Sequence, residues 1–336
     1  MSWAASWIAS GWAKPAPSGP AEVKYVSMNP TYRYNLAYAC KGHTAEKPVK
    51  VKPGPNNPVG VVWVDLNKDD QLDLIVVGEW MPIRVFINDN GKFSDQSGKW
   101  SGTNTEGLWN AILAEDFDLD GDMDFVVSNL GLNTQMKVTP NQPATLYYDD
   151  FDKNGSVDPI LNYFVMGKSY PYPSRDELTE QVPSFKKRFT SYGPYSDATI
   201  ENVLTGEEIS NAKKLHSYEV RSCYLQNDGT RFSMKPMPIQ FQFAPVFAMA
   251  AMDVNGDGKA DIISGGNLAA TRSRTGKLSG NTGFIYLNGG EGNFEFVPPA
   301  STGIHLTGDV RQIEIDGGRL IIGINNDRVD AYDLNR

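Results

Sequence analysis

Four stretches of this chain set residues at alternate positions, all but Lys259 with oxygen-bearing side chains, the pattern a hard cation requires. They are Asp65, Asn67, Asp69, Gln71, Asp73; Asp116, Asp118, Asp120, Asp122, Asp124; Asp150, Asp152, Asn154, Ser156, Asp158; and Asp253, Asn255, Asp257, Lys259, Asp261. Unpaired carboxylates at such density are too costly to bury as a strand face. Gathered round an ion they become favourable. Calcium takes six to eight oxygens at about 2.3–2.6 Å, from side chains and backbone alike. Positions one, three, five and nine would give side-chain oxygens, and position seven its backbone carbonyl, so that even Lys259 is admissible there. Gly121, Gly155 and Gly258 stand at position six, where a positive φ turns the chain back around the ion. The pattern favours Ca²⁺, up to four, over magnesium, because many protein oxygens converge in flexible loops. No His or Cys lies near these loops, which argues against zinc.

The elements that position the loops are legible on either side. Val61–Val64, Ala111–Ala114, Leu146–Tyr148 and Phe247–Ala250 precede them; Leu74–Val77, Phe125–Val127 and Ile262–Ile263 follow three of them directly, and Pro159 intervenes after the third. Short apolar run, acidic loop, short apolar run reads as strand, metal loop, strand. An EF-hand is excluded, because it needs a Glu at position twelve and a following helix. Position twelve here is Val76, Val127, Leu161 and Ser264. Loop starts at 65, 116, 150 and 253 suggest one blade, then a short one, then a long interval carrying an insertion or an unmarked blade, since a four-stranded blade takes roughly 40–50 residues. Asn90-Gly91 marks a hairpin, and Asn88…Gly91-Lys92-Phe93 recurs as Asn288…Gly292-Asn293-Phe294.

Composition is that of a globular protein with a large core, 40% hydrophobic and 21% charged over 336 residues. A net charge of −9 argues against nucleic acid, whose phosphates want a basic surface. Four divalent cations would nearly cancel it, so the acidity belongs to the loops. Cys40 and Cys223 could form one disulfide or stay free. No run of eighteen apolar residues exists to span a membrane. The opening Met1–Trp12 has no basic residue before Lys14 and is a poor secretory signal.

Catalytic constellations are not apparent. His43, His216 and His305 pair with no nucleophile in a recognisable order. Asp149-Asp150 could form a glycosidase pair, yet Asp150 is already committed to a loop. Lys186-Lys187-Arg188 reads as a solvated helix end. Trp63, Trp80, Trp100 and Trp109 could line a sugar platform, although aromatics in such strands belong more often to the core. Repetition suits a structural ion, since a loop that folds its acids round a metal couples binding to folding.

Apolar strand, Asp-x-Asp/Asn-x-Asp/Asn-Gly-x-x-Asp, apolar strand and then Asn…Gly-x-Phe resembles the FG-GAP/VCBS repeats of integrin-α-type β-propellers. With Ser128-Asn-Leu-Gly131-Leu-Asn133, Gly265-Gly-Asn267 and Gly308-Asp-Val-Arg311, residues 57–336 resemble the bacterial ASPIC/UnbV (cartilage-acidic-protein-like) group. The resemblance implies an all-β fold: a calcium-stabilised propeller, partial or part of a seven-bladed ring. It also implies an exported protein, extracellular, at the cell surface or periplasmic, that meets a protein or glycan ligand without catalysis. The competing reading is the propeller scaffold of a polysaccharide lyase or glycosidase. Asp70 departs from the pattern by replacing the loop glycine, and Ile313–Ile322 has strand patterning without a metal loop. A helical insertion is expected at about 163–222, opened by a capping box at Ser174 and Glu177. Residues 1–56 read as a poorly ordered arm or leader, with a strand that completes a neighbouring unit as the alternative.

Overall fold

A computed structural model describes residues 57–271 and 275–334; the expected arm at 1–56, with Cys40, lies outside them. The described chain is all-β, with antiparallel sheets and a few short helices. Strands β1 (Asn57–Val64), β2 (Asp73–Met81), β3 (Arg84–Asp89) and β4 (Lys92–Asp95) form the first sheet in sequence order. The short β5 (Gly107–Leu108) pairs with the far end of β2. The second sheet begins with β6 (Ala111–Glu115) and β7 (Asp124–Ser128).

The chain then leaves the second sheet and builds another. Strands β8 (Ala144–Asp149), β9 (Asp158–Val165), β10 (Lys168–Pro171) and β11 (Lys213–Ser217) make an accessory sheet ordered β10-β9-β8-β11. Four short helices, α1 (Arg175–Gln181), α2 (Tyr192–Ser196), α3 (Ile200–Val203) and α4 (Gly206–Asn211), fill the stretch before β11. Strands β12 (Cys223–Asn227) and β13 (Phe232–Pro236) return to complete the second sheet, β12 pairing with β7 through Val127↔Cys223. The third sheet is β14 (Val246–Met252), β15 (Asp261–Gly266), β16 (Phe284–Asn288) and β17 (Phe294–Val297). The fourth is three-stranded: β18 (Val310–Asp316), β19 (Arg319–Ile324) and β20 (Val329–Asp333).

Among the described residues the innermost strands β1, β6, β14 and β18 lie side by side, so these four sheets stand face to face in an open row. Strand alternation explains the unbroken apolar runs after the loops. On β2, Ile75 and Val77 face the second sheet, while Leu74 and Val76 face away. On β7, Phe125 and Val127 face the first sheet and Val126 the third. On β15, Ile262 faces the second and Ile263 the fourth. Every one of these runs is buried on both sides. Close approach of neighbouring sheets demands small residues: a Cβ on Gly60 would meet Ile112 Cγ2 of the second sheet at 3.0 Å, and one on Gly265 would meet Val310 Cγ1 of the fourth at 2.6 Å.

The helices expected at about 163–222 lie there, between Arg175 and Asn211, inside a longer excursion that leaves the second sheet after Ser128 and returns at Cys223. Two sequence-based expectations need correction. The third acidic loop joins β8 to β9 of the accessory sheet and is not a short blade of the row. Helix within the expected insertion ends at Asn211, because Lys213–Ser217 pairs with β8 as a strand. Lys186 and Lys187 stand exposed in the last turn of a 3-10 helix, Pro183–Lys187, as expected of a solvated helix end. Arg188, at its cap, also makes a bidentate pair with Glu208 at 2.7 and 2.8 Å and donates to Val203 O. The capping box at Ser174 and Glu177 is present. Trp100 and Trp109 are core, 2% and 0% exposed.

Candidate metal loops and their clamps

All four loops fold by one set of side-chain-to-backbone bonds. The position-one carboxylate accepts the N–H of position six: Asp70 to Asp65 at 2.8 Å, Gly121 to Asp116 at 3.0 Å, Gly155 to Asp150 at 2.8 Å and Gly258 to Asp253 at 2.9 Å. Position three accepts from position five, on Asn67, Asp118, Asp152 and Asn255. Position five accepts from position seven, so that Gln71, Asp122, Ser156 and Lys259 donate to Asp69, Asp120, Asn154 and Asp257. In loops one and four the position-three amide also donates to the position-five acid, Asn67 to Asp69 and Asn255 to Asp257. Donation from Gly258 and other backbone amides holds the Asp253 carboxyl below its usual range.

Two positive-φ residues wind each loop. Position six was foreseeable, including Asp70 at φ 64° in place of glycine. Position four was not: Lys68, Leu119, Lys153 and Gly256 have φ 59°, 61°, 59° and 79°. A left-handed Leu costs roughly 1–2 kcal/mol, and Leu119 is 59% exposed, so it recovers little by packing. Leu119→Gly removes that strain against a glycine entropy penalty of about 0.5–1 kcal/mol. The expected result is a gain of about 0.5–1 kcal/mol in urea unfolding; a loss of stability would show that Leu119 is packed.

The carboxylates converge. Ligand-capable oxygens of Asp116, Asp118 and Asp120 lie within 4.8 Å of one another, as do those of Asp150, Asp152 and Asp158. Oxygens around an ion at about 2.3–2.6 Å can stand up to about 5 Å apart, so both groups fit one calcium. Loops one and four carry an amide, Asn67 or Asn255, at position three and hold the same internal bonds. Neighbouring loops also touch: Lys68 of the first pairs with Asp122 of the second at 2.5 Å.

The position-nine acids do something the sequence did not announce. Asp73, Asp124 and Asp261 are 0% exposed. Asp73 accepts from Leu66 N at 3.0 Å and Asn88 N at 2.7 Å; Asp261 accepts from Val254 N at 2.8 Å and Asn288 N at 2.7 Å. Asp124 accepts from Asn227 N at 2.8 Å and from the Tyr224 hydroxyl at 2.5 Å. The asparagine reaches back each time, from Nδ2 to Leu72 O, Met123 O or Ala260 O, and takes the N–H of the following turn glycine on Oδ1. Each such pair joins a loop to the third strand of its sheet. The second of them escaped sequence reading, although Asn227…Gly229…Phe232 repeats the signal seen at Asn88 and Asn288. In the accessory sheet Asp158 repeats the loop half, accepting from Phe151 N at 3.1 Å. Each carboxylate oxygen keeps a second lone pair, so a position-nine acid can clamp and ligate together.

Burial raises all four of these carboxyls, Asp124 and Asp158 to about 6. Because the folded values exceed the ordinary carboxylate value of about 3.9, protonation favours the metal-free fold. That contribution is complete below about pH 4 and is lost as pH rises through 6. Metal-free protein should therefore melt higher at pH 5 than at pH 7.5, by about 1 kcal/mol from each of the two acids. Saturating calcium should reverse the trend, since ligands bind deprotonated. A scan in chelator that is flat from pH 5 to 7.5 would contradict the burial argument.

Among the described residues, no helix is long and apolar enough to cross a membrane. Cys223 is a buried free thiol on β12, and burial pushes it well above the usual thiol range. Residues 65–127, from the first loop through the strand after the second, match the FG-GAP-like repeat family. No curated protein matches the chain.

Proposed function

We propose that this chain is a calcium-braced scaffold of the β-propeller type, exported from the cell, whose ions hold shape and whose surfaces recognise a protein or glycan. The repeated loop geometry carries this reading: four loops share one bond pattern, and two of them bring three carboxylates within 4.8 Å. A repeat match over the first two loops supports a propeller-type scaffold, and the wider resemblance to the ASPIC/UnbV group supports export. The acids are spent on winding and clamping loops at strand ends in several sheets, which suits bracing rather than a single reaction centre.

Calcium titration of the chelator-stripped full chain by calorimetry tests the metal, with magnesium as the comparison. Saturable heat with calcium and little with magnesium is expected; none with either would end the reading. A glycan array with product analysis tests the role. Binding without release of new reducing ends or unsaturated sugars is expected, whereas release would favour a lyase or glycosidase.

A further inference from the structure

The second loop is held from outside as well as from within. Asp118 accepts from Asp120 N on Oδ1 at 3.3 Å, as position three does in every loop, but its Oδ2 accepts from Gln226 Nε2 at 2.8 Å. Gln226 lies on β12 and reaches the loop because that strand pairs with β7. Which end of a glutamine amide faces a neighbour is set by the bonds its two ends can make. The Lys235 ammonium on β13 can only donate, and it bonds Gln226 Oε1 at 3.0 Å. The nitrogen end is thereby left to face Asp118. Lys235 is itself pinned, donating to Glu291 O at 3.2 Å in the turn between β16 and β17 of the third sheet.

The other loops differ at this position. Asn67 and Asn255 turn their amides inwards, onto Asp69 and Asp257. The Asp152 carboxylate accepts from Asn154 N alone among the described residues. Asp118 is gripped at both oxygens, which fixes the plane of its carboxylate and leaves each oxygen a lone pair for an ion. In the same loop Asp116 Oδ1 is shut off from solvent with no hydrogen-bond donor among the described residues, a cost that a cation would remove. Partners behind a metal ligand orient it, and losing one typically weakens binding about 10–100-fold.

We propose that Gln226 is a positioning residue for an ion in the second loop: it holds Asp118 in its ligating orientation, and Lys235 holds Gln226. The role rests on the calcium reading above and adds to it that one of the four loops is completed by a strand about a hundred residues away.

Calorimetric titration of the chelator-stripped full chain with calcium tests it. Asp120→Ala defines the second loop's share of the binding heat as the part it abolishes. In Gln226→Leu, which keeps the bulk and removes the donor, that share should move to about tenfold higher calcium. Lys235→Met, which frees the amide to turn, should move it less far in the same direction. Both variants should melt close to the parent in chelator and fall behind it in calcium, a split that a merely structural side chain would not produce. Added to Asp120→Ala, Gln226→Leu should leave the remaining heat unchanged, because the site it serves is already gone. Unshifted binding in both variants, or equal losses of melting temperature in chelator and calcium, overturns the positioning role while the ion stays. If Asp120→Ala abolishes no share of the heat, the calcium reading of this loop falls and the positioning role falls with it.

Discussion

Millimolar calcium should raise the melting temperature of the full chain by at least about 5 °C over the same protein in chelator. A single site filled a hundredfold above its dissociation constant contributes about 2.7 kcal/mol, and a domain this large gains roughly 2 °C or more per kcal/mol. Asp120→Ala isolates one site. Its carboxylate is exposed, accepts only from Asp122 N and stands among Asp116 and Asp118. Removing it relieves repulsion without calcium and deletes a ligand with it. The variant should match the parent within about 1 kcal/mol in chelator and lose about 2–3 kcal/mol in calcium. Equal losses under both conditions would show that Asp120 acts through the apo loop alone.

Asp124→Ala should behave in the opposite way, failing with or without the ion. Its removal leaves the Tyr224 hydroxyl and the Asn227 amide buried without an acceptor. An unsatisfied buried donor costs about 1–3 kcal/mol, so the loss should be about 3–5 kcal/mol in chelator, and about 2–3 kcal/mol more in calcium, where a ligand is lost as well. Tyr224 also packs edge-on against Phe117 and Phe294, at 6.1 and 5.6 Å between ring centroids, so its displacement would disturb the contact between second and third sheets. Asp124→Asn separates clamp from ligand. Its amide oxygen can still accept from Asn227, and it carries no buried charge, so it should cost about 1 kcal/mol or less in chelator at pH 7.5. Most of the calcium-dependent gain of that loop should still disappear. An alanine variant that melts with the parent in chelator would show the clamp to be decorative.

Those two aspartates mark where sequence reading succeeded and where it stopped. The loops were legible because ligand chemistry fixes residue type at fixed spacing, and the flanking strands because alternation on a doubly covered sheet leaves continuous apolar runs such as Leu74–Val77. Position nine was read for its charge alone. Its second role depends on Asn88, Asn227 and Asn288, and the strand carrying Asn227 lies about a hundred residues beyond Asp124. No local period links such partners. For the same reason the third loop looked like another blade: its spacing is that of the others, and only the pairing of β12 with β7 shows that it belongs to an excursion. Left-handed Leu119 and Lys153 were hidden because neither residue type favours that conformation.

That excursion has a consequence during synthesis. β7 leaves the ribosome long before β12, its neighbour in the second sheet. At roughly 5–20 residues per second the wait lasts on the order of five to twenty seconds. Throughout it β7 is a bare edge of five residues, four of them apolar or small, available to any passing strand. The intervening polypeptide must compact by itself and hand the nascent chain back within one strand spacing of where it departed. Its helices and accessory sheet thus act as a timekeeper for the second sheet, and lesions in that lobe should surface first as aggregation of newly made protein.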